Sequence, residues 1–252
     1  MRSRKNINRI YCLQSLELGA TIDFDGDIHN YLVKVLRCKV GSKVKVFNAE
    51  HGEWLAEVTN VSKKSLTISL LELLKKPPKR QQPTNLTLIF APVKNPNPSF
   101  YIQKATELGA TKIVPVITSR TVVRNLNTDK LTKVAIEATE QSERLAVPQI
   151  HGEMSLLDLK DKLNITGTIF FFDEDEQNNN FLKILTTSFD FNDDAILIGP
   201  EGGFSDDERA TLRTLPNIKS VSLGRNILRA ETAMIAALSV YELAKASSVT
   251  QA

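Results

Sequence analysis

The chain holds 252 residues, 42% of them hydrophobic and 24% charged, with a formal net charge of +3, an ordinary soluble composition long enough for one large domain or two small ones. Cys12 and Cys38 lack paired spacing and His29, His51 and His151 are scattered, which excludes a zinc site or a disulfide framework and makes a reducing compartment the expectation. No apolar run approaches membrane-spanning length and no signal-peptide core follows the basic start Met1 to Lys5, so a cytoplasmic protein without a membrane partner is expected.

Arg9 to Leu13 reads as a first strand. His29 to Arg37 places Leu32, Val33 and Leu36 at helical spacing and leaves Lys34 and Arg37 for solvent or phosphate. The period then changes to two: Lys43 to Phe47, Glu53 to Val58 and Leu66 to Leu70 alternate in short runs separated by Asn, Gly and Ser, the pattern of a small β-barrel around one helix. Trp54 falls in the middle of a strand and is expected in the core rather than as a platform for stacking bases. Residues 1 to 80 carry 15 Lys and Arg against 8 Asp and Glu, a net +7, whereas residues 81 to 252 carry 17 against 21, a net −4. A basic small half beside a mildly acidic larger half suggests a polyanion-gripping module joined to a small-molecule module.

The run from Lys75 to Pro83, with three prolines and four basic residues, breaks every periodicity. It marks a domain boundary, giving a first domain over 1–75, a linker over 76–84 and a second domain over 85–252. Beyond it strands and helices alternate, as in an α/β fold with a mostly parallel sheet. Leu86 to Ala91 is a strand; Asn97-Pro98 opens a helix through Leu108 with Gly109 as its stop; Ile113 to Ile117 is the next strand. A helix from about Thr128 to Leu145 sets Leu131, Val134, Ala135, Ala138 and Leu145 on one side, and Glu137, Glu140, Gln141 and Arg144 in a polar stripe expected to face solvent. Thr168 to Phe172 is a buried strand ending in Asp173-Glu174-Asp175-Glu176, four acids that either repel one another or face a cationic ligand.

Two glycine-bearing loops complete the chain. Ala195 to Ile198 reads as a buried parallel strand, followed by Gly199-Pro200-Glu201-Gly202-Gly203-Phe204 and by Ser205 to Glu208, which has the spacing of a helix capping box. Glycines here let backbone amides come close to a ligand. Val221 to Leu223 reads as a short strand, then comes a glycine-opened loop with Arg225 and Arg229, and then an alanine-rich helix from about Thr232 to Ala246. Ligands of open α/β sheets sit at the carboxyl ends of strands, so both loops are expected to face one crevice. Neither has the spacing of the dinucleotide fingerprint or the Gly-Lys-Ser/Thr of a phosphate loop.

Four runs in this order carry a family resemblance: IQKATELGATKIVPV (102–116), EATEQSERLAVP (137–148), LIGPEGGFSDDE (197–208) and LGRNILRAETA (223–233). The chain resembles the RsmE-type small-subunit rRNA uridine-N3 methyltransferases of the SPOUT superfamily, and HNYLVKVLR (29–37) looks like that family's PUA-like domain. The resemblance implies a C-terminal α/β domain tied in a trefoil knot, S-adenosyl-L-methionine as methyl donor, a homodimer, and 16S rRNA or the small ribosomal subunit as partner. It also implies a donor pocket made by three loops. The first follows Phe172 and includes Asp173; the second holds Ile198, Gly199, Glu201, Gly202 and Gly203; the third runs from Leu223 through Gly224, Ile227, Leu228 and Arg229 to Thr232. After Lys94 the family tends to have a small polar turn, where this chain has Asn95-Pro96-Asn97-Pro98.

Methyl transfer from a sulfonium is an in-line displacement that needs no metal. Uridine N3 must lose a proton, and the charge left behind spreads onto O2 and O4. Arg229, with Arg225, is the expected stabiliser of that charge. Glu201 and Glu231 are candidate proton acceptors, and each is equally a partner that holds an arginine in place. Arg9, Lys34, Arg37, Lys94, Arg120, Arg124 and Arg144 are the candidates for gripping RNA. Two rival readings are a SPOUT enzyme acting on another RNA site, such as a ribose 2′-O, and a non-catalytic RNA-binding assembly factor. The first usually carries a Ser-Leu-Asn-Val-Ser run in its last loop, where this chain has Leu223-Gly224-Arg225-Asn226-Ile227-Leu228-Arg229, which favours base methylation.

Overall fold

The computed structural model describes residues 7–77, 85–176, 178–187 and 189–249; the basic start and most of the expected linker lie outside them. The chain divides into two compact units, Met1–Gln81 with Thr139–Ala146, and Gln82–Ala138 with Val147–Ala252.

In the first unit, strands β1 (Arg9–Tyr11), β2 (Thr21–Asp25), β3 (Lys43–Asn48), β4 (Gly52–Val61) and β5 (Ser65–Lys75) form one sheet in the order β1-β3-β4-β5-β2. β1 runs parallel to β3, and the other neighbours are antiparallel. Alternation puts Val44 and Val46 of β3, Ala56 and Val58 of β4, and Leu66, Ile68 and Leu70 of β5 on one buried face. β2 was not expected from sequence: in Thr21-Ile22-Asp23-Phe24-Asp25 only Ile22 and Phe24 point inward, too few to stand out as a period. The helix expected over His29 to Arg37 is α1 (Gly26–Asn30) continued by a π-helical turn, Tyr31–Val35. It stops where Arg37 adopts a φ of 54° and the Cys38 amide donates back to Leu32 O. Leu32 is fully buried, while Lys34 and Arg37 are exposed. Trp54 is half-buried against this core and donates its indole N–H to His51 O at 2.8 Å.

In the second unit, β6 (Leu86–Phe90), β7 (Lys112–Ile117), β8 (Gln149–Ile150), β10 (Ile169–Phe172), β11 (Asp194–Ile198) and β12 (Ile218–Val221) follow the order β12-β10-β11-β6-β7-β8, and β9 (Met154–Ser155) also pairs with β7. Every pairing among these described strands is parallel. A parallel sheet is covered on both faces, so its strands read as unbroken apolar runs. Phe170, Ile196, Ile198, Leu88 and Phe90 pack on one side with α2 (Pro98–Glu107), α5 (Phe181–Thr186) and α7 (Ala230–Val249). Phe171, Ala195, Leu197 and Ile89 pack on the other with α4 (Leu159–Lys162) and α6 (Asp206–Arg213). At the start of β11 the buried Asp194 accepts from Tyr241 Oη (2.6 Å), Thr168 N (2.7 Å) and Asn192 N (3.0 Å), so its polar atoms are matched where no water reaches.

Helix α3 spans Thr128–Gln141, four residues short of the expected end, and Leu145 therefore lies in the turn beyond it. The polar stripe is not simply a solvated face. Its last turn belongs to the first unit, where Glu140 Oε1 accepts from Tyr11 N at 2.9 Å. The carbonyls of Thr139, Glu140 and Arg144 accept from the Arg9 guanidinium at 2.8–2.9 Å. Helix C-terminal carbonyls have no partner of their own, and a buried arginine fork supplies one. β12 ends at Val221, so Leu223 belongs to the following loop, and α7 begins at Ala230, two residues before the expected start.

Candidate active site

The carboxyl ends of β10, β11 and β12 open into one cavity of about 850 Å³, within the size range of small-molecule sites. Three loops wall it. Asp173 comes from the first, with Phe172 at the end of β10; Gly199, Glu201 and Gly203 from the second, with Ile198 at the end of β11; Leu223, Gly224, Arg225, Ile227, Leu228 and Arg229 from the third. Two expected members stand apart. Gly202 does not line the cavity but offers its carbonyl to Arg120 Nη1 at 2.5 Å, and Thr232 lies in the first turn of α7 beyond the lining.

Local sequence explains the shape of the second loop. Ser205 caps α6 with both halves of a capping box, its hydroxyl accepting from Glu208 N at 3.2 Å while Glu208 Oε2 accepts from Ser205 N at 2.9 Å. Phe204 is thereby anchored in the core edge-on to Phe171, with centroids 5.0 Å apart. Gly199 has no room for a side chain, because a Cβ there would strike the Phe204 ring. Glu208 also accepts from Ser119 N (2.7 Å) and Ser119 Oγ (3.0 Å), which fastens the segment carrying Arg120 to the start of α6.

Burial pushes the Glu208 carboxyl upward, but the hydrogen bonds from Ser205 and Ser119 outweigh it and hold the group below its usual 4.5. A depressed folded value stabilises the protein above the unfolded value and is lost as pH falls through the folded one. Glu208→Gln is therefore expected to lower the melting temperature at pH 7 and to lie closer to wild type below about pH 4, checked by melting curves across that range. A constant difference at all pH values would contradict this.

Neither glutamate candidate is tied to an arginine among the described residues. Glu201 is exposed at the cavity wall. Glu231 is half-buried outside the lining, with Oε2 buried and lacking a hydrogen-bond partner among the described residues. The nearby Tyr101 hydroxyl is likewise buried with no partner among the described residues; burial first, then the charges of Glu231 and Glu201, push its pKa up. Arg225 and Arg229 are exposed at the cavity wall and make no hydrogen bond or ion pair through their side chains to the described residues.

Among the residues expected to grip RNA, Lys34, Arg37, Lys94, Arg120 and Arg124 are exposed and Arg144 is half-buried. Arg9 is a correction. It is 8% exposed, and Glu53 (2.6 Å) and three carbonyls take four of its five N–H donors, so the guanidinium is spent inside the protein rather than turned to a phosphate. Sequence reasoning also missed Arg209, which lines the cavity and meets the acids after β10. The one signal for it was the acid run itself, which needs cations from elsewhere in the chain.

The unit with the parallel sheet and strand-end crevice, and the small β-rich unit, each match a known module of RNA methyltransferases. The family model described as an RNA methyltransferase domain matches residues 80–242, and that of the RNA methyltransferase PUA domain matches residues 24–71. The ribosomal RNA small subunit methyltransferase E of Rickettsia conorii is 41% identical over 237 residues, covering 94% of this chain and 95% of that protein. A methyltransferase E from Neisseria gonorrhoeae, solved bound to S-adenosyl methionine, superposes with a TM-score of 0.78 at 27% identity, over 94% of this chain and 98% of that one. A Legionella pneumophila protein solved with the bound cofactor SAM gives 0.79 at 26% identity, over 95% and 98%. The chain belongs to the ribosomal RNA small subunit methyltransferase E family.

Proposed function

We propose that this protein uses S-adenosyl-L-methionine to methylate N3 of a specific uridine in 16S rRNA, acting in the cytoplasm as a homodimer. The observation that carries the reading is the single cavity onto which three strand-end loops converge, with two uncommitted arginines at its wall. Its lining suits the donor. Ile198, Leu223, Ile227 and Leu228 offer apolar surface for an adenine. Gly199 and Gly203 expose backbone where a Cβ would meet Phe204 or Glu174. Bound there, the donor supplies an electrophilic methyl group on a sulfonium.

The chain's own residues would do the rest. Arg229, assisted by Arg225, would face the charge that spreads over the uracil oxygens as N3 loses its proton; a cation placed there stabilises such charge more in the transition state than in the ground state. Glu201, at the cavity wall, is the nearer proton acceptor, since Glu231 does not line the cavity. The first unit, with exposed Lys34 and Arg37, and the loop cations Lys94, Arg120 and Arg124 would hold phosphates while the crevice takes one extruded base. Apolar surface left open on α7 and the third loop, at Leu243 (69% exposed) and Ile227 (85%), supports pairing with a second copy.

Mass analysis of small-subunit rRNA from cells lacking the protein is expected to show one methyl missing from a uridine base. A full complement of methylated uridine, or a methyl lost from a ribose, would refute the assignment. Affinity for rRNA is expected to fall steeply with salt, by about tenfold or more between 50 and 200 mM if several phosphates are neutralised, in filter binding or fluorescence anisotropy. A flat salt response would remove the electrostatic part of the proposal.

A further inference from the structure

Immediately after β10 the chain turns back on itself: Glu176 N donates to Asp173 O at 3.1 Å and Asp175 N to Asp173 Oδ1 at 3.2 Å. Three successive carboxylates therefore converge where an extended chain would alternate them, and like charges so close repel. One guanidinium meets all three. Arg209 of α6 is 8% exposed; its Nη1 donates to Asp173 Oδ1 at 2.5 Å and to Asp175 Oδ2, and its Nη2 donates to Glu174 Oε1 at 2.7 Å. Its Nε reaches Phe204 O at 3.4 Å. Arg213, one turn on, takes the other oxygen of Asp173 at 2.6 Å.

The same side chain thus touches two of the three loops around the cavity, the first through three carboxylates and the second through a carbonyl. Gly203 completes the joint. Its φ is +68°, and a Cβ there would lie 2.5 Å from Glu174 Oε1 and 3.5 Å from Arg209 Nη2, so the glutamate lies over the bare Cα of the second loop. β10 itself needs none of this, because it pairs with β11 and β12 and its phenylalanines fill both cores.

We propose that Arg209 is a positioning residue: it binds the acidic loop after β10 to the Gly199–Phe204 loop in the one arrangement that walls the donor pocket. The proposal rests on the methyl-donor reading for what the pocket holds. Lysine is no substitute, because a single ammonium on a flexible stem cannot serve three carboxylates and a carbonyl in the fork geometry of a guanidinium. Loss of Arg209 leaves the sheet standing and releases the loop, since local openings draw on local contacts.

The test compares the full-length wild-type chain with Arg209→Ala and Arg209→Lys by backbone hydrogen exchange without ligand, by titration calorimetry with S-adenosyl-L-methionine and by steady-state kinetics. Exchange at the Asp175 and Glu176 amides is expected to rise about tenfold or more in both variants, while amides of β10 and β11 keep their protection. The donor Kd and KM are expected to rise about tenfold or more with kcat much less affected, and millimolar methylguanidinium to restore part of the affinity of Arg209→Ala. Wild-type loop exchange in Arg209→Ala, or an unchanged donor Kd, would overturn the proposal. If Arg209→Ala does not fold, the double substitution Glu174→Gln with Asp175→Asn loosens the same contacts from the loop side and is read by the same measurements. A wild-type chain that takes up no donor overturns the methyl-donor reading instead, and the exchange data still decide whether Arg209 holds the loop.

Discussion

Arg229→Ala is expected to lower kcat about 100- to 1,000-fold while leaving the affinity for S-adenosyl-L-methionine nearly unchanged. The size follows from what one charged donor contributes where charge develops, and the selectivity from the position of the side chain. The Arg229 carbonyl accepts from Ala233 N at 2.8 Å, closing the first turn of α7, so the backbone at this point is held by the helix whatever side chain it bears. The guanidinium is exposed and bonds to no described residue, so its removal strands no partner and opens no cavity. Single-turnover methylation of small ribosomal subunits, alongside calorimetry with the donor, separates the two effects. Arg229→Lys is expected to recover part of the rate, because a cation is kept while the planar fork is lost. Equal losses in rate and donor affinity would make Arg229 a binding residue and leave the charge on the uracil without its proposed partner.

Arg9→Met is expected to destabilise the first unit by about 3–5 kcal/mol, the usual cost of removing one member of a buried ion pair. Glu53 would be left in the interior with only Lys45, 3.4 Å away, among the described residues to balance it. Two carbonyls in the last turn of α3 and that of Arg144 just beyond it would lose their donor, and the Phe47 ring would lose the guanidinium that lies 4.0 Å from its centroid. Methionine keeps the apolar stem, so the loss isolates the charge and hydrogen bonds. Urea unfolding followed through Trp54, the one tryptophan and a residue of β4, reports on this unit directly. A variant that unfolds like wild type but binds rRNA with a flatter salt dependence would return Arg9 to the phosphate-gripping set.

The contrast between these arginines shows which features could be read in advance. Arg229 follows a strand and a glycine and precedes an alanine-rich helix, so its place at the carboxyl edge of a parallel sheet follows from local pattern and a general rule of α/β folds. The capping box at Ser205 and Glu208 was legible for the same reason, since its partners are three residues apart. Arg9 and Arg209 were not. Their hydrogen-bond partners lie 130 or more and 34 or more residues away in the chain, apart from Glu53, 44 residues on, and Phe204, five residues back, and no spacing announces them. Each basic residue looks alike until it is known whether the surroundings are water or protein, and hydrogen-bonded burial turned two of them from surface charge into joints. Element ends were misjudged where tertiary contacts overrode propensity: α3 stops at Gln141, where Arg9 takes up its free carbonyls, although the periodic pattern continues to Leu145.

Hydrophobic period, turn residues and caps act over a few residues, and those were enough to indicate a basic β-rich unit followed by an α/β unit with its ligand at two glycine loops. Which loops share a wall, which carboxylates find a cation and which cations stay available to a substrate depend on distances between segments far apart in the chain. Those distances are set only when the sheet stacks β12-β10-β11-β6 and brings the three strand-end loops side by side.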